Sequence, residues 1–111
     1  MSDRQLSLSP LEISAVIALV EADGETYGVP IHARVNELEG HDVSIGAVYA
    51  ALQRLADKRL VSSWLGESSA ERGGRAKKFF RLTADGYSAA DEVYRRAIST
   101  AAILEPALGG A

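Results

Sequence analysis

Cysteine is absent from the chain, which excludes disulfides, thiolate metal sites and thiol nucleophiles together. Only two histidines occur, His32 and His41. No acidic or thiol residue stands at metal-ligand spacing with either on one helical face, so solvent exposure is the expectation for both. There is no Ser–His–Asp order, no paired acid–base set and no phosphate-binding P-loop. The Gly73-Gly74 pair does not follow a strand and open a helix, which argues against a nucleotide site. Asp85, Asp91 and Glu92 read as a solvated helix face. No enzyme activity, metal or cofactor is therefore expected. The apolar run from Ile13 to Val20 is too short to span a bilayer. The polar start leads into no secretory core with a cleavage site, so a cytoplasmic protein is expected. Repeats and low-complexity segments are missing too, and 111 residues fit one compact domain.

What is present is an uneven charge map. The net charge is −3, which taken alone argues against nucleic acid. Residues 41–82, however, hold eight basic side chains (Arg54, Lys58, Arg59, Arg72, Arg75, Lys77, Lys78 and Arg81) against four acidic ones. Acidic residues prevail on both sides of that stretch. A positive middle between acidic ends is the footprint expected of a small DNA reader; a chance asymmetry on a solvated surface is the other reading, and the motifs decide between them.

Three helices come first along the chain. Ser9-Pro10-Leu11-Glu12 announces the first with a cap, a proline at the first position and a capping box. It is predicted to run to about Ala22 and stop at Asp23-Gly24. Its apolar residues wrap well over half the circumference, whereas one buried face needs only a stripe. This implies a second partner for the helix, most simply another subunit. The second helix is predicted from Val29-Pro30 to about Leu38, ended by Gly40, with Tyr27-Gly28 before it as a turn. The third starts at the N-cap Ser44 and runs to about Lys58. Ile45, Val48, Leu52 and Leu55 form its expected buried stripe. Its other face carries Gly46, Ala47, Ala50, Gln53, Arg54 and Asp57, small enough in the first turns for a groove wall to come close. Gln53 and Arg54 can hydrogen-bond to bases or phosphates; for Arg54 a salt bridge is the other reading. Tyr49 falls at the edge, able to pack its ring and extend its hydroxyl to a phosphate.

Two strands follow, Leu60–Leu65 and Lys77–Leu82, joined by a loop from Gly66 to Ala76. Glycines at the tip allow a turn and a close approach, and the cations supply counter-charge to phosphates. Lys77 and Lys78 point to opposite faces, as do Phe79 and Phe80, of which one packs inward. Trp64 reads as a packing residue where the strand meets the core. Thr83 caps a last helix whose Tyr87, Ala90, Tyr94, Ala97, Ala101 and Leu104 follow a heptad seam. Pro106 and Gly109-Gly110 are expected to end it. The small alanines beside the tyrosines leave room for a flat molecule between subunits. The fold expected is mainly α with a small β-hairpin: a winged helix-turn-helix over residues 1–82 and a long C-terminal dimerisation helix over 83–111.

Several segments resemble the PadR-type transcriptional regulators: Tyr27-Gly28, the run Val43 to Leu55, Leu60 to Trp64, and Gly73 to Gly86. The likeness extends from Leu8 to about Ala97 and matches the short subgroup with a single C-terminal helix. Many members have Gly-Thr-Leu-Tyr-Pro where this chain has Gly46-Ala47-Val48-Tyr49-Ala50. The resemblance implies a homodimeric repressor of promoter DNA. It also implies that the third helix reads the major groove and the wing follows the backbone, while the first and last helices form the dimer. In some members a small aromatic molecule releases the DNA. The candidate DNA contacts are Tyr27, Ser44, Gly46, Ala47, Tyr49, Gln53, Arg54, Arg72, Gly74, Arg75, Lys77 and Lys78. The candidate dimer contacts are Leu11, Ile13, Ile17, Tyr87, Ala90, Tyr94, Ala97, Ala101 and Leu104. The alternative is a winged-helix module that binds protein instead of DNA, for which an exposed apolar patch in the positive segment would be needed.

Overall fold

Helix α1 (Pro10–Glu21) begins on the box that its sequence announces. The Glu12 N–H donates to Ser9 Oγ at 3.2 Å, and the Ser9 N–H donates to Glu12 Oε1 at 2.8 Å. In this computed structural model, described over residues 7–66 and 76–109, α1 is the central helix and packs against every other helix. Ala15, Val16, Ala18 and Leu19 are buried in it, while Leu11, Ile13 and Ile17 are half-buried. Being covered on several sides explains its near-continuous apolar sequence without requiring a stripe.

The chain leaves α1 through Asp23 and Gly24, both at positive φ, and forms strand β1 (Glu25–Tyr27). Sequence reasoning treats Tyr27-Gly28 as a turn and assigns nothing to Glu25-Thr26; in the structure Tyr27 closes a strand and Gly28 opens the next helix. Three residues with no alternating apolar pattern carry no strand signal of their own. The strand exists because β3 offers a free edge to pair with. Helix α2 (Gly28–Glu39) follows directly and ends at Gly40 in the left-handed conformation. Helix α3 (Ile45–Asp57) starts at Ser44, whose Oγ accepts the Ala47 N–H at 3.0 Å. Val48, Ala51, Leu52 and Leu55 are buried. Ile45 is 43% exposed and does not join them. It stands at the helix N-terminus, one turn outside the stretch that α1 and α2 cover.

Strands β2 (Val61–Leu65) and β3 (Lys78–Leu82) form the hairpin root, and β1 pairs with β3 from the other side. The small hairpin is thus a three-stranded antiparallel sheet in the order β1-β3-β2. Phe80 and Leu82 face the core with Val61. On the opposite face Tyr27, Phe79 and Trp64 are direct cross-strand neighbours. Phe79 lies 5.6 Å from the Tyr27 ring and 5.7 Å from Trp64, stacked on the latter. Trp64 therefore packs on the outer sheet face, not in the core. Such aromatic ladders stabilise sheets through their cross-strand contacts.

Helix α4 (Ala84–Leu108) is capped by Thr83, whose Oγ1 accepts the Gly86 N–H at 3.0 Å. Pro106 withholds one N–H but does not end the helix. The helix runs on to Leu108, and the Gly109 N–H closes on Glu105 O at 2.7 Å. Gly86 and Ala89 are buried against the body; every residue described beyond Val93 is exposed. The helix is about 37 Å long in a molecule whose extents are 57 × 39 × 22 Å. No helix among the described residues is long and apolar enough to cross a membrane.

Candidate nucleic-acid interface

The buried stripe of α3 turns its other face outward. Ser44, Gly46, Gln53 and Arg54 are exposed, and Ala47 and Tyr49 half-exposed. A Cβ built on Gly46 would meet nothing within 4 Å. A helical glycine costs about 1 kcal/mol relative to alanine, so the fold itself gives no reason for one here. A surface that something else must approach closely does give one.

Between this helix and the root of the hairpin lies an open cleft of about 530 Å³. Tyr27, Tyr49, Gln53, Lys77, Lys78 and Phe80 line it. Its floor is aromatic, the Tyr49 ring lying 6.0 Å from that of Phe80. The Tyr49 hydroxyl is seated against Gly28, where any Cβ would collide with it. Lys78 lies on the Phe80 side of the sheet by strand alternation. Lys77 lies on the outer side, its Nζ 4.5 Å from the Tyr27 ring centroid. The expected placement of the two phenylalanines holds, with Phe80 buried and Phe79 half-buried.

Two polar side chains of α3 are already engaged. Gln53 Nε2 donates to Asp57 Oδ1 at 3.0 Å. Arg54 Nε donates to Glu12 Oε2 at 2.9 Å, which realises the salt-bridge reading of this residue. Lys58 Nζ donates to the other oxygen, Glu12 Oε1, at 3.0 Å, and to Ser7 O at 3.3 Å. Glu12 is only 2% exposed. Burial pushes its carboxyl up, but the Ser9 N–H, Lys58 and Arg54 together outweigh that and hold it below its ordinary 4.5. Sequence reasoning reads Glu12 only as a cap; the same residue also bolts α1 to α3. The signal was available as two cations four residues apart, Arg54 and Lys58, on one helical face.

The turn from α2 to α3 is held by a second device. His32 Nε2–H donates to Val43 O at 2.6 Å, and the Val43 N–H donates to Asn36 Oδ1 at 2.7 Å. His32 is half-buried, which corrects the expectation of solvent exposure; His41 is exposed as expected. A histidine and an asparagine at i, i+4 just ahead of a helix-ending glycine was the readable clue.

Arg72, Gly74 and Arg75 lie outside the described residues. Of the candidate dimer contacts, Leu11 and Ala90 pack partly against the core. Tyr87, Tyr94, Ala97, Ala101 and Leu104 are exposed along α4. Ile98, Ile103 and Leu108 are exposed as well, the last two at 72% and 71%; Leu108 continues the heptad spacing, whereas Ile103 lies on the opposite side of the helix. A second, smaller cavity of about 180 Å³ lies where the start of α1 meets α4, between Ser7, Leu8, Ile13, Glu92 and Arg96.

The model of the transcriptional regulator PadR-like family matches residues 16–92, which run from the middle of α1 through the first turns of α4. The chain belongs to the PadR-like family. It is accordingly a transcriptional regulator and not an enzyme. No protein of curated function matches the sequence. Among solved structures, a PadR family transcription regulator from Clostridium difficile R20291 is 22% identical with a TM-score of 0.72; the match covers 88% of this chain and 97% of that one. A PadR-like regulator from Bacillus cereus ATCC 14579 is also 22% identical, with a TM-score of 0.70 and coverages of 91% and 93%. F93 from STIV, a winged-helix DNA-binding protein, is 17% identical at a TM-score of 0.58, covering 75% of this chain and 82% of its own. At these identities the likeness establishes the shared winged-helix fold.

Proposed function

We propose that this PadR-like regulator is a homodimeric repressor that binds a pseudo-palindromic promoter site in double-stranded DNA. The observation that carries the reading is the bare first turn of α3, with open space over Gly46, beside a cleft edged by Lys77 and Lys78. Helix α3 enters the major groove with Ser44, Gly46, Ala47 and Gln53 against base edges and backbone. The lysines, with Arg72, Gly74 and Arg75 of the wing, follow phosphates, and Tyr27 and Tyr49 line the approach. Residues 1–82 form the DNA-binding part and residues 83–111 the dimerisation helix. The exposed apolar side of α4, joined by Ile13 and Ile17 of α1, is the surface on which a second copy sits; left bare, Tyr94, Ile98 and Leu108 would remain in water. Two copies present their α3 helices to successive major grooves, about 34 Å apart. A small planar aromatic ligand bound between subunits releases the DNA. The protein acts in the cytoplasm.

The test is a gel-shift of the purified protein on the DNA upstream of its own gene, with a salt series. A shift that weakens steeply with salt and shows a dimer per site is expected. A protein that ignores duplex DNA even in dilute buffer sinks the reading. Titration with planar aromatics, following Trp64 fluorescence and DNA release, tests the effector.

A further inference from the structure

The first turn of α3 has almost no anchor of its own. Ile45 is 43% exposed, Gly46 has no side chain, and Ala47 is only half-covered. Within the helix, core packing takes hold at Val48, and ahead of it the Val43 side chain packs partly against the core. Hydrophobic burial is non-directional: it holds the body of the helix against α1 and α2 but does little to aim a turn that lies beyond it.

What fixes that turn is Val43. Both of its backbone polar atoms are held by side chains of α2, the carbonyl by His32 at 2.6 Å and the N–H by Asn36 at 2.7 Å. The short contact to a carbonyl oxygen requires the proton on Nε2 of His32, so the Asn36 amide nitrogen 3.4 Å from the same atom is a neighbour, not a donor to it. Ser44 follows at once and its hydroxyl oxygen takes the Ala47 N–H. Three directional bonds thus run in series from α2 through Val43 and Ser44 to Ala47.

We propose that His32 and Asn36 are positioning residues for sequence discrimination: by clamping Val43 they aim the first turn of α3. This rests on the reading of α3 as the DNA-reading helix. Base-edge hydrogen bonds require tight geometry, whereas phosphate attraction tolerates a small misplacement. The clamp therefore governs specificity and leaves general DNA affinity alone.

The test uses the full chain and two duplexes of equal length, the operator footprinted by the wild type and a scrambled version, with affinities measured across a salt series. His32→Ala and Asn36→Ala are each expected to weaken operator binding about tenfold, leaving scrambled-duplex affinity and salt slope unchanged. His32→Gln, which keeps a donor near the Nε2 position, is expected to restore most of the discrimination. If an alanine variant fails to fold, Asn36→Ser, too short to reach Val43, reads the same ratio. Folded variants that keep the wild-type ratio, or lose both affinities in proportion, overturn the positioning role while leaving DNA reading intact. A wild type that binds both duplexes equally overturns the DNA reading and the clamp's role together.

Discussion

Two glycines on helices illustrate how one substitution can have opposite consequences. Gly46 faces open space, so Gly46→Ala is expected to raise stability by up to about 1 kcal/mol while weakening operator binding. Thermal melting and anisotropy titration on the same sample check both halves; an unchanged operator affinity would count against close approach at this turn. Gly86 is buried where α4 starts, and a Cβ there would run into Leu60 O and crowd Leu82. Gly86→Ala is therefore expected to cost about 1–3 kcal/mol despite alanine's better helix propensity, measured by denaturant unfolding. Glu12 adds a pH dependence. Its carboxyl titrates lower in the folded chain than in the unfolded one, so the folded state binds fewer protons in that interval. The stabilisation is full above the ordinary carboxylate value and is lost as pH falls through the depressed one. Glu21, lowered chiefly by its hydrogen bond from Arg34, acts in the same direction. Melting temperature is expected to fall below about pH 4.5, and Glu12→Gln to flatten part of that fall. At neutral pH the same change is expected to cost about 1–3 kcal/mol, because an amide cannot accept from both cations.

At the level of elements, the long C-terminal helix carries the plainest expectation. Among the described residues, its outer half leaves Ile98, Ile103 and Leu104 exposed. Ile98→Asp with Leu104→Asp is expected to yield a folded monomer with weak operator binding, seen by sedimentation and circular dichroism. Dimers that persist unaltered would place the subunit contact elsewhere. The helices were legible in the sequence because their ends carry local chemistry: Ser9 with Glu12, Gly40, Ser44 and Thr83 each act through atoms within a few residues. Strand β1 was not legible, because its stability belongs to β3 and not to Glu25-Thr26-Tyr27. The candidate interface was half legible. Its small outer face followed from spacing, but the partnership of Arg54 with Glu12 spans 42 residues of sequence and appears only once α1 and α3 are packed. His32 was misjudged for the same reason, since its acceptor Val43 becomes a neighbour only when the turn is formed.

For the whole molecule the net charge of −3 is a poor guide to its partner, since the cations are gathered in one stretch of chain. Lys78→Ala is expected to weaken binding to all duplexes alike and to lower the salt slope by about one; an unchanged slope, measured on operator and scrambled DNA, removes Lys78 from the phosphate contacts. The sheet order has a consequence for the DNA itself. Strand β3 is central, paired on one side with β2 and on the other with β1, and β1 passes without a linker into α2. The wing root is thereby joined through β1 to the helix-turn-helix, and the gap between them is expected to act as a jaw of fixed gape. Accommodation must then come from the duplex, so operators with pliant pyrimidine–purine steps under the jaw are expected to outcompete stiff A-tract versions that keep the same contacted bases.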